Sequence, residues 1–374
     1  MKKRSNLFAA VATLTGTIIG AGILGLPYVF AKSGFLIGMI NLVVLGVLIL
    51  FLNLYLGEVI LRTKGKHQLP GYAEKYLGKK GRFLMLISSL IFLYGALTAY
   101  VLGEGEVLSF ILLGSKDFMI IFGLIFLALM SILIYSNLKT LEKGEAFGLM
   151  AVSLMILIIF FFFLPKINWG NFSFISSGFS SWFMPYGVIL FSFLALSALP
   201  EMREELYKEE KKMKKAILIG SLIPAIFYIM FVIAVYGYAG INTPEIATEV
   251  LGRFPSLLAV FTMFTAFIAI GVALKELFIY DFRMKNDKAF FWTIFPVFII
   301  SMVLMVFNFA NFVKILSLIG SLAGGLAGIL VLLMAYKAKK NSERKPEYSI
   351  PLSWSIIFLL GIIFLTGIIY QFVF

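Results

Sequence analysis

Four glycines and a proline crowd into one apolar run near the start of the chain. From Thr15 to Pro27 it reads TGTIIGAGILGLP, with Gly16, Gly20, Gly22, Gly25 and Pro27 in thirteen positions. Inside a helix a glycine costs about 1 kcal/mol relative to alanine and a proline about 3. Two arrangements tolerate such residues. One is close packing of helices through small residues. The other is a break in the helix. Gly20 and Gly22 are two apart, which is wrong for a single helix face, and Pro27 follows closely. A break here frees N–H groups from Gly20 onward at the positive end of the second half-helix. It also frees carbonyls near Ile18 at the negative end of the first. The N–H end suits an anion and the carbonyl end suits an amine or a cation. An amino acid carries both charges close together, so it fits such a break better than a sugar or an inorganic ion.

A second run, Tyr186 to Pro200, carries Ser192 and Ser197 mid-span and Pro200 at its end. Paired with the first, it fits an architecture in which interrupted helices of two halves meet at a shared site. A third run places Gly95, Ala99 and Gly103 one turn apart, a close-packing face. Tyr100 and Glu104 share another face of the same helix. An acid at depth in a membrane is by default a functional candidate, here a proton carrier or a polar partner; if the helix ends early, Glu104 is simply wet. Thr262, Thr265, Ala266 and Ala269 lie on one face of a later helix. Such hydroxyls either bond back to a carbonyl one turn earlier or ligate a hard cation through oxygen. Lys275 and Glu276 near its inner end are expected to snorkel or to pair. Gly320, Gly324 and Gly328 form a packing ridge.

The elements that position these residues follow from composition. The chain has 374 residues, 61% hydrophobic and 14% charged, with mean hydropathy +1.01. A soluble domain has roughly 45–50% apolar and about 25% charged residues, so a soluble protein is excluded. A membrane helix needs about 20 apolar residues. Eleven stretches qualify, at roughly 6–31, 35–61, 83–113, 117–135, 145–164, 183–200, 216–239, 255–279, 289–308, 310–336 and 350–372. MKKRSN and the run behind it resemble a signal peptide only superficially; the run is too long and lacks a small-residue cleavage site, so it reads as the first span. With the N-terminus cytoplasmic, 26 of the 32 Lys and Arg fall on the inner side. Lys32, Lys116, Lys166, Arg253 and Lys314 fall outside. That asymmetry sets the topology and accounts for the net charge of +13 without nucleic acid. The chain is therefore an all-α, multi-pass protein of the cell membrane with eleven spans and an outer C-terminus. There is no cysteine, the one histidine is His67 in a loop, and Asp117, Asp281 and Asp287 lie at span ends or in loops. A thiol, histidine or paired-aspartate enzyme has no residues to work with, and no metal or cofactor is expected.

TIIGAGILGLPYVFAKSGF at 17–35 resembles the first helix of the amino acid–polyamine–organocation superfamily, most of all its amino acid/auxin and hydroxy/aromatic amino acid permease families. Further resemblances follow in order: PGYAEKYLG at 70–78, YGALTAYVLGEGEVL in the third span, LKTLEKGE at 138–145, and PYGVILFSFLALSALPEM at 185–202. The resemblance implies the leucine-transporter fold, five plus five inverted helices with breaks in helices 1 and 6. The first repeat would span 1–165 and the second 166–336, followed by a loop and helix 11 over 337–374. It also implies that the backbone of Gly20, Ala21, Gly22 and Ile23 holds a substrate carboxylate. Carbonyls near Thr17, Ile18, Phe191 and Leu194, beside Ser192, would hold the amino group, with Tyr100 over the site. A sodium site, where the superfamily has one, would use the Thr15 and Ile18 carbonyls, Thr265 and the next residue. That next residue is Ala266, which lacks a hydroxyl, and the fifth span offers no lysine to replace sodium. The expected activity is secondary transport of a neutral, aromatic or hydrophobic amino acid by alternating access, with proton symport through Glu104 favoured over sodium. A nutrient sensor on a transporter scaffold is the remaining alternative.

Overall fold

The computed structural model describes the backbone of residues 7–136, 141–174, 176 and 178–373. Lys2, Lys3, Arg4, Lys139 and the start of the 138–145 motif lie outside the described residues, as do the side chains of 141–147, Lys143 among them. Every described element is helical. The order is α1 (Leu7–Ile18), α2 (Gly22–Ser33), α3 (Phe35–Arg62), α4 (Leu69–Leu113), α5 (Met119–Tyr135), α6 (Leu141–Phe163), α7 (Phe179–Phe183), α8 (Tyr186–Phe193), α9 (Ala198–Glu205), α10 (Met213–Ala239), α11 (Arg253–Tyr280), α12 (Asn286–Phe307), α13 (Phe312–Ile319), α14 (Gly325–Lys340) and α15 (Trp354–Val373), with a π-helical turn at Gly320–Gly324 between α13 and α14. All eleven expected stretches contain helix. Among the described residues nine helices are long and apolar enough to cross a membrane, α1 and α2 make a pair bent by 49°, and α5 is apolar but only 17 residues long. Lipid offers the backbone no partner, so apolar runs of this length must satisfy their own amides as helix.

Two glycines set corners. Gly34, at φ 90°, separates α2 from α3. Gly78, at φ 75°, bends α4 so that its first turns form a separate short helix before the span. These positive φ values are ones that L side chains rarely adopt.

Burial sorts the helices. All of α8 and nearly all of α2 are buried, whereas Phe291 and Phe295 of α12 and Phe358 and Leu359 of α15 face outward. The two interrupted spans therefore sit at the centre, and α12 and α15 lie at the rim with large apolar side chains facing outward, as expected where the solvent is hydrocarbon. The packing face on α4 is real: a Cβ at Gly95 would lie 2.5 Å from Ile319, and one at Gly103 2.6 Å from Met263. The ridge of Gly320, Gly324 and Gly328 also packs, with Gly320 against the Gly187 carbonyl and Gly328 against Phe364. Its first part is the π turn, a local widening often found beside functional sites.

Two expectations need correction. The sixth span does not end at Pro200; it resumes as α9 and runs to Glu205. Of the two outcomes expected for Lys275, snorkelling or pairing, snorkelling does not occur. Lys275 is buried, and its Nζ donates to the Ile134 carbonyl at 2.9 Å, in the last turn of α5. A cation there meets the negative end of a helix, which compensates its removal from water.

Candidate functional site

The first break is short. The Ile19 N–H still reaches the Thr15 carbonyl at 2.8 Å, but Gly20 folds back on Ile18 at 2.8 Å. Helical bonding restarts from Ile23 to Gly20 at 3.4 Å and from Leu24 to Ala21 at 3.1 Å. The N–H groups of Ala21 and Gly22, two of the four expected anion donors, make no backbone hydrogen bond among the described residues. The second break spans 194–197, between α8 and α9. Leu194 folds back on Phe191 at 3.2 Å, and Ala198 on Ala195 at 3.1 Å. No glycine causes it. Pro200 has no N–H to bond back to the Leu196 carbonyl, and it stands in the first turn of α9, where proline fits a helix best.

The breaks face one another. A Cβ on Gly22 would lie 2.8 Å from Ser192 Cα and 2.6 Å from its Oγ, so the two spans touch backbone to backbone there. Gly22 thus serves both packing and the break, two readings that the glycine pattern leaves open. At Gly20 the surroundings are roomier: the nearest atoms to a Cβ would be Ala266 Cβ and Tyr100 Oη, both at 3.9 Å. The Tyr100 hydroxyl therefore lies near Gly20, at the first break. Phe92 of α4 stacks on Phe191 at 5.5 Å and lends an aromatic wall beside the second break.

A residue that the sequence reading missed joins the two. Tyr228, fully buried in α10, places its hydroxyl 2.5 Å from the Ile18 carbonyl and 2.7 Å from the Ser192 carbonyl. A tyrosine at the centre of an apolar span, four residues after Pro224, was the available signal. Pro224 itself leaves the Gly220 carbonyl without its helical partner, and Thr15 Oγ1 donates to that carbonyl at 3.3 Å.

The other expected residues divide. Glu104 is fully buried, so the alternative of a wet helix end fails, and neither carboxylate oxygen has a hydrogen-bond partner among the described residues. It stands one turn beyond Tyr100 on the same helix. Thr262 and Thr265 bond back, to Leu258 at 2.9 Å and Phe261 at 2.9 Å. Ser192 Oγ does the same to Val188 at 2.8 Å, so this residue meets the centre through its backbone. Thr17 is exposed and bonds back to Thr13 at 2.8 Å. Ile23 and Leu194 are buried beside the breaks.

Gly16 and Thr17 on α1 and Thr265, Ala269 and Ala273 on α11 are exposed. The outer side carries a charged cluster. Lys116 binds Glu249 at 2.7 Å and also pairs with Glu106, tying α4 to the 247–251 turn. Burial, joined by the nearby Glu106 charge, pushes the Glu249 carboxyl up to about 7, although Lys116 pulls it down. On the inner side Thr13 Oγ1 donates to Glu205 at 3.0 Å, linking α1 to α9, and the Arg203 guanidinium caps the Ile60 and Thr63 carbonyls after α3.

The centre thus offers free N–H groups at one helix end, carbonyls at two others and an apolar wall. It holds no nucleophile beside a base, and no group of three or more metal-ligating side chains occurs among the described residues. The model of the tryptophan/tyrosine permease family matches residues 3–373. The chain belongs to that family. The permease is 26% identical over 285 residues to tyrosine-specific transport system 1 of Haemophilus influenzae, covering 70% of each chain. It is 23% identical over 290 residues to glutamine transporter 2 of Aliivibrio fischeri, covering 72% of this chain and 74% of that one. The crystal structure of MhsT in complex with L-phenylalanine superposes with a TM-score of 0.72 at 13% identity, covering 99% of this chain and all of that one. At that identity the likeness concerns the fold, and the fold is the leucine-transporter fold expected from the first helix. The permease is an amino acid transporter of the cell membrane, not an enzyme.

Proposed function

We propose that the permease carries a neutral amino acid with an aromatic or hydrophobic side chain, by proton symport. The supporting observation is the meeting of the two breaks, which sets the Ala21 and Gly22 N–H groups near the Ile18 and Ser192 carbonyls. The carboxylate of the substrate takes the N–H groups at the start of α2, with Gly20 and Ile23 flanking them. Its amino group takes the carbonyl ends of α1 and α8, around Thr17, Ile18, Phe191, Ser192 and Leu194. The side chain lies against Tyr100 and the wall of Phe92 and Phe191. A tyrosine transporter among the relatives and a phenylalanine-bound structural neighbour favour a large side chain; the glutamine transporter keeps the choice within neutral substrates.

Glu104 is the proton carrier in this reading. It is buried one turn from Tyr100, and no described donor engages it. The sodium alternative needs the Thr15 and Ile18 carbonyls together with the Thr265 hydroxyl. The Thr15 carbonyl already accepts from the Ile19 N–H and the Ile18 carbonyl from the Tyr228 hydroxyl, and Ala266 adds no oxygen. Transport proceeds by rocking of the repeats, 1–165 and 166–336, about the breaks. The test is uptake by purified permease in proteoliposomes. Acid outside and no sodium should drive accumulation of tyrosine or phenylalanine. Absolute dependence on sodium would overturn the coupling, and binding without counterflow would make the protein a sensor instead.

A further inference from the structure

Two helix ends of the same sign converge on one hydroxyl. Ile18 is the last residue of α1, and Ser192 is the next to last of α8. Their carbonyls stand at the negative ends of two half-helices. A small cation would satisfy both, yet the group between them is the neutral phenol of Tyr228, 2.5 and 2.7 Å away. The ring is held in place: it is fully buried and meets Phe193 edge to face at 5.1 Å. A phenol has one proton to donate and keeps lone pairs of its own. At any instant one of the two carbonyls receives that proton and the other does not. The unserved carbonyl and the phenol oxygen together make a pair of acceptors side by side.

We infer that Tyr228 is a positioning residue for the substrate's amino group. Its hydroxyl staples α1 to α8 and makes an acceptor set for a primary ammonium, composed of the phenol oxygen and whichever carbonyl its proton leaves. An ammonium has three N–H donors and fits that set; a methylated nitrogen loses donors, and a group without nitrogen offers none. No bond other than hydrogen bonds forms or breaks. The inference rests on the amino acid reading above and assigns part of its specificity to a side chain on a third helix.

The test is competition binding on purified permease, wild type and Tyr228→Phe. The probes are radiolabelled L-tyrosine or L-phenylalanine, the α-N-methyl analogue and the desamino analogue. Tyr228→Phe keeps the ring and removes only the hydroxyl. The wild type is expected to prefer the amino acid over its desamino analogue by about a hundredfold, and the variant to lose about tenfold of that preference, as hydrogen bonds to a charged group imply. The desamino analogue itself should bind both proteins about equally, which a merely structural loss would not produce. Competition reads only the folded fraction, so reduced yield does not obscure the ratio. If Tyr228→Phe yields no folded protein, 3-fluorotyrosine at 228 keeps the size and makes the hydroxyl a stronger acid, and the same ratio must shift. An unchanged ratio, or equal weakening of both ligands, overturns the role of Tyr228. A wild type that binds none of the amino acids overturns the transport reading itself, and this inference with it.

Discussion

The two breaks do the same work by different means. In the first, between α1 and α2, the sequence supplies the weakness locally: Gly20 and Gly22 lower the cost of leaving the helix, and a side chain at Gly22 would collide with Ser192. In the second, residues 194–197 are Leu, Ala, Leu and Ser, which prefer helix or accept it. That break is imposed from outside. Tyr228 draws off the Ser192 carbonyl, and Gly320 and Gly187 bring the π turn onto α8. A break built into the chain is insensitive to its neighbours, whereas one built by neighbours can follow their movement. The comparison makes the second break the one that senses rearrangement of α10 and of the π turn.

Several changes would break or sharpen that contrast. The largest effect is expected at the contact between the breaks. Gly22→Val drives a branched side chain into the Ser192 backbone, and overpacking of this kind costs about 1–3 kcal/mol or more. Uptake in proteoliposomes should fall by about a hundredfold, with a lower melting temperature. Next comes Glu104→Gln, which keeps the shape and removes the titration. Accumulation driven by a pH gradient should vanish while exchange of labelled for unlabelled substrate persists; loss of both would assign Glu104 to structure.

Gly20→Ala is the informative control, because its Cβ meets nothing nearer than 3.9 Å. Folding should be unaffected, and KM should rise about tenfold, since the methyl intrudes on the centre rather than on packing. Pro200→Ala restores an N–H to the start of α9. If the second break is imposed by its surroundings, the change should leave transport within about threefold and lower stability by about 0.4–1 kcal/mol, because the unfolded chain gains freedom. A large loss would show that Pro200 alone holds the break open.

The smallest effect concerns the outer cluster. The Glu249 carboxyl ordinarily titrates near 4.5 and here near 7, so the folded state holds its proton across that interval while the unfolded chain has lost it. Stability from this group is full below about pH 4.5 and declines as pH rises through about 7. Melting temperature, measured against pH, should fall over that window in the wild type and less so in Glu249→Gln.

Much of this centre was legible in residues. The break at Gly20 and Gly22, the depth of Tyr100 and Glu104, and the packing roles of Gly95, Gly103 and Gly320 follow from periodicity and from the cost of glycine and proline in helices. Less visible were the restart of the sixth span at Ala198, the burial of Lys275 onto the end of α5 and the place of Tyr228. Each depends on which helix lies alongside. Lys275 looks like a snorkelling residue until the Ile134 carbonyl is beside it, and Tyr228 looks like one aromatic among many until two helix ends meet at its hydroxyl.

The amino acid order alone determined that this chain lives in a bilayer and where its apolar runs fall along the sequence. Those properties are sums over segments, set by the transfer of apolar and basic groups between water and lipid. It also marked the first break, because glycine and proline carry their conformational consequences wherever they stand. Only the tertiary structure decided that the sixth span opens at 194–197, that Glu104 has no hydrogen-bond partner among the described residues, and that Ile18 and Ser192 share Tyr228. A hydrogen bond between residues 210 positions apart is a fact of distance in space, and no local pattern encodes it.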